Sequence, residues 1–412
     1  MKNLKWLYPG MLIKRWISLG VFGIVMVSMG FVIVISRYSS ENKAIAGLII
    51  IIGMMAMIYA VKRIIKSLMM VVAPQDGNAL VERIFEKRIL EKGPNLVTIG
   101  GGTGLSTLLT GLKYRTSNIT AIVTVADDGG SSGRLREEFD VLPPGDIRNC
   151  LVALSASEDL LGALFQFRFK EGKELHGHNF GNLFITALSQ VTGDFAQAIR
   201  ESSKVLAIRG RVYPATLANV QLAARRANGK EIVGESKIRL DAGSPIERLH
   251  LVPNDCKATP EALEAIRQAD AIILGPGSLY TSVMPNLLIK EIREELSKSK
   301  AVKIYVCNVM TEHGETDDYS VGNHVRAMIE HAGSDVIDYC IGNITAIPEN
   351  LVAKYKTENQ YPVRIDDEDA MWFKQENIEL VRAHIASIKE FVRHDPEKLT
   401  EAIFNILEAS KR

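Results

Sequence analysis

The apolar and polar positions divide the chain near residue 94. From Trp16 to Ser36, and again from Ala44 to Val61, no charged residue occurs. At about 1.5 Å per helical residue, each run is long enough to cross or nearly cross a ~30 Å hydrocarbon layer. The link between them, Arg37 to Lys43, is short and polar. Lys2, Lys5, Lys14 and Arg15 precede the first run, and Lys62, Arg63 and Lys66 follow the second. Positive charge on both outer ends predicts a helical hairpin with both ends in the cytoplasm. A cleaved signal peptide fits poorly, because no small-residue cleavage site precedes the link and a second apolar run follows. Neither run holds a charge or a histidine, which favours an anchor over a transporter. The expected boundaries are 1–66 for the hairpin with its basic flanks and 67–93 for a juxtamembrane helix and linker on the anionic inner leaflet. The expected location is the cell (inner) membrane, multi-pass, with the soluble domain in the cytoplasm.

Beyond Gly93-Pro94 the pattern changes to short, continuous apolar runs separated by helical ones. The runs Leu96–Ile99, Ile119–Val125, Ala271–Leu274, Val302–Val306 and Val336–Ile341 read as strands covered on both faces. Helical spacing occurs over 105–112, 148–155, 159–169, 182–191, 260–268, 287–297 and 321–331. This order predicts an α/β, Rossmann-like, doubly wound and mostly parallel sheet over 94–412. One segment, 218–251, breaks the rhythm: two strand-like runs flank Asn228-Gly229, a strong hairpin signal, and Ile246–Leu251 continues them. It is expected to be a small antiparallel β insertion, and either a subdomain or a homodimer contact. Asp395-Pro396 marks a helix start, with Asp as cap and Pro in the first turn.

Charge adds one exclusion. The chain has 49 Lys/Arg and 48 Asp/Glu. Residues 1–92 hold thirteen of the former and five of the latter, leaving 36 and 43 for the remainder. A body of about −7 is a poor partner for nucleic acid, whose binding rests on neutralising phosphates. The four cysteines, Cys150, Cys256, Cys307 and Cys340, match no metal-binding spacing and read as reduced, buried thiols.

The candidate chemistry lies in six polar loops. Gly100, Gly101, Gly102, Thr103 and Gly104 follow the first strand and open a helix. Side-chain-free backbone at a helix N-terminus suits an anion. The loop is not a Walker A loop, and Leu105 stands where a dinucleotide fold has its third glycine, which counts against an NAD-dependent oxidoreductase. Asp127 and Asp128 end the second strand, where an acid would serve a ribose hydroxyl or hold Mg²⁺. Ser131, Ser132 and Arg134 follow and offer phosphate contacts. In Pro144-Gly145-Asp146-Ile147-Arg148-Asn149, Asp146 is either a helix cap or a ligand contact, and Arg148 and Asn149 are ligand contacts. In 176–182, His176 and His178 lack a third metal ligand at useful spacing; Asn179 and Asn182 cap a helix or reach the ligand. Gly275, Gly277, Ser278 and Tyr280 form a second glycine loop after a strand, with Tyr280 either stacking on a base or sugar or packed inside. Asn308 and Thr311 follow another strand. Loops after several parallel strands share one sheet edge, so their convergence is stronger than any one of them. No GxSxG nucleophile elbow occurs, and no acid–base pair is assigned from spacing.

Five of these runs carry a resemblance: 100–105 (GGGTGL), 126–136 (ADDGGSSGRLR), 143–149 (PPGDIRN), 275–283 (GPGSLYTSV) and 307–311 (CNVMT). Over about residues 95–400 the chain resembles the gluconeogenesis-factor (YvcK-like) family, relatives of 2-phospho-L-lactate transferase (CofD-like). The resemblance implies a Rossmann-like fold that binds UDP-sugars such as UDP-N-acetylglucosamine. It implies a role in growth on gluconeogenic carbon sources, in cell shape and in envelope synthesis, with envelope-synthesis regulators as partners. It makes Tyr280 the UDP-sugar contact. The transferase relatives move a phospholactyl group from a guanosine diphosphate donor with Mg²⁺, and in them the region matching Asp127 lies near the reacting phosphates. Two readings follow: a membrane-anchored, non-catalytic UDP-sugar-binding regulator, or a Mg²⁺-dependent transferase with Asp127 on the metal. The hairpin is a departure, since the family is mostly soluble.

Overall fold

A computed structural model describes residues 13–36, 40–72, 88–156, 160–241 and 243–410. The chain divides into two units, Met1–Ile89 and Leu90–Arg412.

In the first unit, α1 (Ile13–Ile35) and α2 (Ser40–Val72) are long and apolar enough to cross a bilayer. Their outer faces leave large apolar side chains uncovered, as with Phe22 at 57% and Val32 at 65% exposure. The helices meet along a glycine seam. A Cβ on Gly23 would lie 2.7 Å from the Gly53 carbonyl, and one on Gly30 would lie 2.5 Å from Ile50. Gly20 faces Ala60, so the pairing runs antiparallel, and small residues allow the backbones this close. At one end the Arg63 guanidinium lies over the Trp16 and Tyr59 rings at 5.2 and 5.3 Å. The helix of the second span continues through the positions expected to begin the juxtamembrane segment; residues 73–87 of that segment lie outside the described residues.

In the second unit the strands are β1 (Leu96–Gly100), β2 (Ile119–Val123), β3 (Arg211–Pro214), β4 (Gln221–Arg226), β5 (Glu231–Val233), β6 (Ile246–Val252), β7 (Ala271–Leu274), β8 (Val302–Val306), β9 (Tyr339–Asn343), β10 (Glu379–Ala383), β11 (Ala386–Ile388) and β12 (Val392–His394). Seven of them form one parallel sheet in the order β10-β9-β8-β7-β1-β2-β3. β1 and β2 are buried at every position, as are β7 and nearly all of β8, which is why their sequences are unbroken apolar runs. The order reverses between β1 and β7. Such a switch point is where a crevice forms at the carboxyl edge of an open α/β sheet.

The helices that matter for this edge are α3 (Gly102–Leu112), α4 (Gly130–Phe139), α5 (Gly145–Leu154), α6 (Leu160–Gln166), α7 (Phe180–Thr192) and α8 (Phe195–Val205). The 218–251 segment is a three-stranded antiparallel sheet, β5-β4-β6. Its tight connection is a turn closed by the Gly229 N–H on the Arg226 carbonyl (2.9 Å), with Gly229 at φ +81°. Only the glycine takes positive φ, so this is a bulged three-residue loop, not a two-residue turn. The segment also holds a short helix, α9 (Glu235–Leu240), between β5 and β6. Asp395 caps the last helix as expected, accepting from the Glu397 and Lys398 amides.

Two expectations shift. The strand placed at 336–341 lies at 339–343, because Ser334–Val336 forms a helical turn. The end of the second loop, 130–134, begins a helix that runs over 130–139: Gly133 packs where a Cβ would sit 2.1 Å from the Asp128 carbonyl, so close packing overrides poor local propensity.

Candidate functional site

The first glycine loop sits at the switch point, between β1 and α3. Gly101 precedes the helix in extended backbone with no side-chain cap, so the first turn of α3 presents amides to the crevice. Gly102 has φ +66°, which favours glycine. The second glycine loop comes against it from β7. A Cβ on Gly104 would lie 2.6 Å from the Pro276 carbonyl, so the two loops pack backbone to backbone. Between them lies a cleft of about 430 Å³, into which Gly101, Gly102, Thr103, Gly104, Asp127, Asn149, Gly277, Ser278, Asn308 and Thr311 all face. Asn308 braces this wall by accepting from the Gly277 amide (3.3 Å). Thr311 is tied to 361 in both directions, its N–H donating to the Tyr361 carbonyl and its hydroxyl accepting the Tyr361 amide.

Other expected site residues fall elsewhere. Gly100 and Gly275 support the loops from below: Gly100 accepts the Thr124 amide, and Gly275 donates to the Ile99 carbonyl. Asp128 accepts the Ser236 amide (2.8 Å) and so anchors α9; it is not on the cleft wall. Ser131, Ser132, Arg148, Asn179 and Asn182 turn inward on one another. Ser131 Oγ meets His178 Nδ1 at 3.1 Å, Arg148 donates to Asn182 Oδ1 at 2.9 Å, and Asn179 caps α7 through the Asn182 amide. Arg134 donates to the His176 carbonyl. This network joins α4, α5 and α7 behind the cleft. Tyr280 also turns inward and is not on the cleft wall. It is 1% exposed, its hydroxyl pairs with that of Tyr319 at 2.8 Å, and its ring stands edge-on to Tyr319 and His331. Sealed in this way, the ring takes the packed alternative of the two.

Of the two roles open to Asp146 the cleft position is the one seen, and the cleft also gains residues that spacing did not reveal. Asp146 faces it from the first turn of α5 and does not cap that helix; its carboxylate accepts the Gly102 amide across the cleft floor. α9 brings Glu235 and Arg239, so the β insertion forms one wall. Arg226 fastens that wall, donating to the carbonyls of Gly314, Ser244, Ile238 and Asp241. Glu312 comes from the loop after β8, and Tyr355, Arg393 and His394 come from the last third of the chain.

Electrostatically the cleft is a ring of carboxylates with two arginines. Burial pushes Asp146 up to about 7, aided by the nearby charge of Asp127. Burial likewise raises Asp127, Glu235 and Glu312. Behind the wall, Glu315 is raised by burial and by Glu312, with Arg239 Nε 3.7 Å from its Oε1. Burial holds His394 down at about 4, so its ring is neutral and donates from Nε2 to the Cys307 carbonyl. Desolvation also lowers Arg148 to about 10. Among the described residues no three His, Cys, Asp or Glu side chains converge into a preformed metal cage. Asp127 and Asp146 nevertheless share the glycine-loop end of the cleft, and Mg²⁺ is commonly held by one or two carboxylates together with substrate phosphates.

A parallel sheet with a glycine-lined cleft at its switch point defines a Rossmann-like α/β protein. Residues 96–386 match the family model described as 2-phospho-L-lactate transferase CofD. A gluconeogenesis factor of Bacillus subtilis is 48% identical over 315 residues, covering 76% of this chain and 98% of that one. A relative from Clostridium acetobutylicum is 44% identical over 416 residues, covering 98% of this chain and 91% of its own. The crystal structure of a UPF0052-family protein from Bacillus halodurans superposes with a TM-score of 0.73 at 47% identity, over 76% of this chain and 99% of that one. The chain belongs to the CofD family, in its gluconeogenesis-factor branch. The Clostridium relative also matches the quarter of the chain that the Bacillus proteins leave uncovered.

Proposed function

We propose that this protein is a gluconeogenesis factor that binds a UDP-sugar in the switch-point cleft, held at the membrane by its N-terminal hairpin with the cleft domain in the cytoplasm. The observation that carries the reading is the pair of glycine loops meeting at the switch point, with the N-terminal turn of α3 on one side and Arg239 and Arg393 on the cleft walls. Amides and guanidinium groups together suit a diphosphate, the part common to nucleotide sugars. The apolar α1–α2 pair supports the anchor. The family resemblance supports a role in cell shape and envelope synthesis on gluconeogenic carbon. The test is calorimetric titration of the full chain with UDP-N-acetylglucosamine. Arg393→Ala is expected to weaken binding by about tenfold or more, the scale of a lost charge-assisted contact; unchanged affinity refutes the assignment of the cleft.

A second reading is a Mg²⁺-dependent transferase using a nucleotide-diphosphate donor. It is favoured by Asp127 and Asp146 facing one cleft, each with its pKa raised by burial. These two would hold the metal, which when bound would neutralise phosphate charge. The glycine-loop amides would orient the diphosphate. Mg²⁺-dependent turnover abolished by Asp127→Asn supports this reading, and undiminished turnover in that variant ends it.

A further inference from the structure

The geometry points to a second compartment, a groove between α3, α5 and α6, that receives the glycosyl half of the nucleotide sugar. This rests on the nucleotide-sugar reading above. The groove has a volume of about 430 Å³, within the size range of small-molecule sites. It shares Thr107 and Asn149 with the cleft, so a ligand whose diphosphate lies on the glycine loop can continue along α3 into it.

The lining distinguishes this groove from the cleft. Among the described residues no Asp or Glu faces it, and neither does any aromatic ring. A base would lack a stacking partner there. Its cation, Lys113, is 4% exposed and donates from Nζ to the Ser155 carbonyl at 2.9 Å, so a phosphate finds no open charge. What the groove offers is hydroxyl and amide chemistry. Ser106 and Thr107 each donate to the Thr103 carbonyl, and Thr110 donates to the Ser106 carbonyl, all at 2.9 Å. With their protons committed to the helix, these three oxygens remain acceptors for ligand hydroxyls. Asn149 supplies the opposite sense: its Oδ1 accepts from Arg148 (2.7 Å), which leaves its NH₂ to donate. Gln166 adds a second amide at the rim. Ala153, Gly162 and Ala163 give small apolar surface on which the C–H face of a sugar ring can pack. Acceptors on one side, donors at the junction and small apolar surface between them are what a neutral polyhydroxylated group needs.

The test compares UDP with UDP-N-acetylglucosamine by calorimetry on the full-length protein in detergent. Ala163 is exposed on α6, so Ala163→Trp fills the groove without entering the core. The expected result is UDP affinity within about twofold of the parent and UDP-N-acetylglucosamine affinity lowered by about tenfold or more. Thr110→Val, which keeps shape and removes one acceptor, is expected to weaken only the sugar nucleotide, by about threefold; it serves as the measurement if Ala163→Trp does not fold. The inference is overturned if both ligands are weakened equally, if neither changes, or if the parent binds the sugar nucleotide no better than UDP. A parent that binds neither ligand removes the nucleotide-sugar reading and the groove with it. A parent that binds both, with variants that change neither, removes the groove alone.

Discussion

Asp146→Asn should stabilise this protein at alkaline pH while impairing its cleft. Asp146 is half-buried at the cleft floor, and burial moves its ionisation from 3.8 to about 7. At about 1.4 kcal/mol per factor of ten, that corresponds to a ceiling of about 4 kcal/mol. The carboxyl keeps some contact with solvent in the cleft, which reduces the expectation to about 2 kcal/mol. The sign follows from linkage. Below pH 3.8 the group is protonated in both folded and unfolded chains and costs nothing. Between 3.8 and about 7 the unfolded chain ionises while the folded one keeps its proton, so stability is lost as pH rises. Above about 7 the full penalty is present. Asparagine lacks that term and can still accept the Gly102 amide through Oδ1. The assay is urea unfolding of parent and variant at a series of pH values, following the transition of residues 90–412. The variant's advantage should be absent near pH 4, grow through pH 5–7 and level at about 2 kcal/mol by pH 8. An advantage independent of pH, or a variant less stable at pH 8, refutes the reasoning.

Further outcomes test other parts of the account. Tyr280→Phe should lower stability by about 1 kcal/mol, through loss of the Tyr319 hydrogen bond, and leave ligand affinity unchanged; an affinity loss without a stability change would return Tyr280 to the site. Gly104→Ala drives a methyl onto the Pro276 carbonyl and should cost about 2 kcal/mol or more, read as a lower urea midpoint; wild-type stability would show that the two loops do not pack as described. A cysteine in place of Ser40, at the start of α2, should react with an impermeant thiol reagent in intact cells. Labelling only after lysis would contradict the hairpin topology.

What the sequence disclosed depended on whether a residue's role was local. β1, β2, β7 and β8 were legible because burial on both faces forces apolar runs. β3 and β10 were not, because as edge strands they alternate with exposed Arg and Glu positions. The two glycine loops were legible because close backbone approach demands glycine. Polar composition, however, carries no direction. Ser131, Arg148, Asn179 and Asn182 looked like ligand contacts and instead satisfy one another behind the cleft. Glu235, Arg239, Arg393 and His394 were invisible for the converse reason: tertiary structure brings them to the cleft from a β insertion and a short hairpin, where nothing in their own neighbourhood marks a site.

The measurement that bears most directly on the central claim is equilibrium binding of the full chain to UDP-N-acetylglucosamine, UDP-glucose, GDP and NAD, with and without Mg²⁺, together with product analysis. UDP-sugars are expected to bind at least about tenfold more tightly than GDP or NAD, with no turnover. Preference for GDP with Mg²⁺ and release of a transferred product would contradict it and establish the transferase reading in its place.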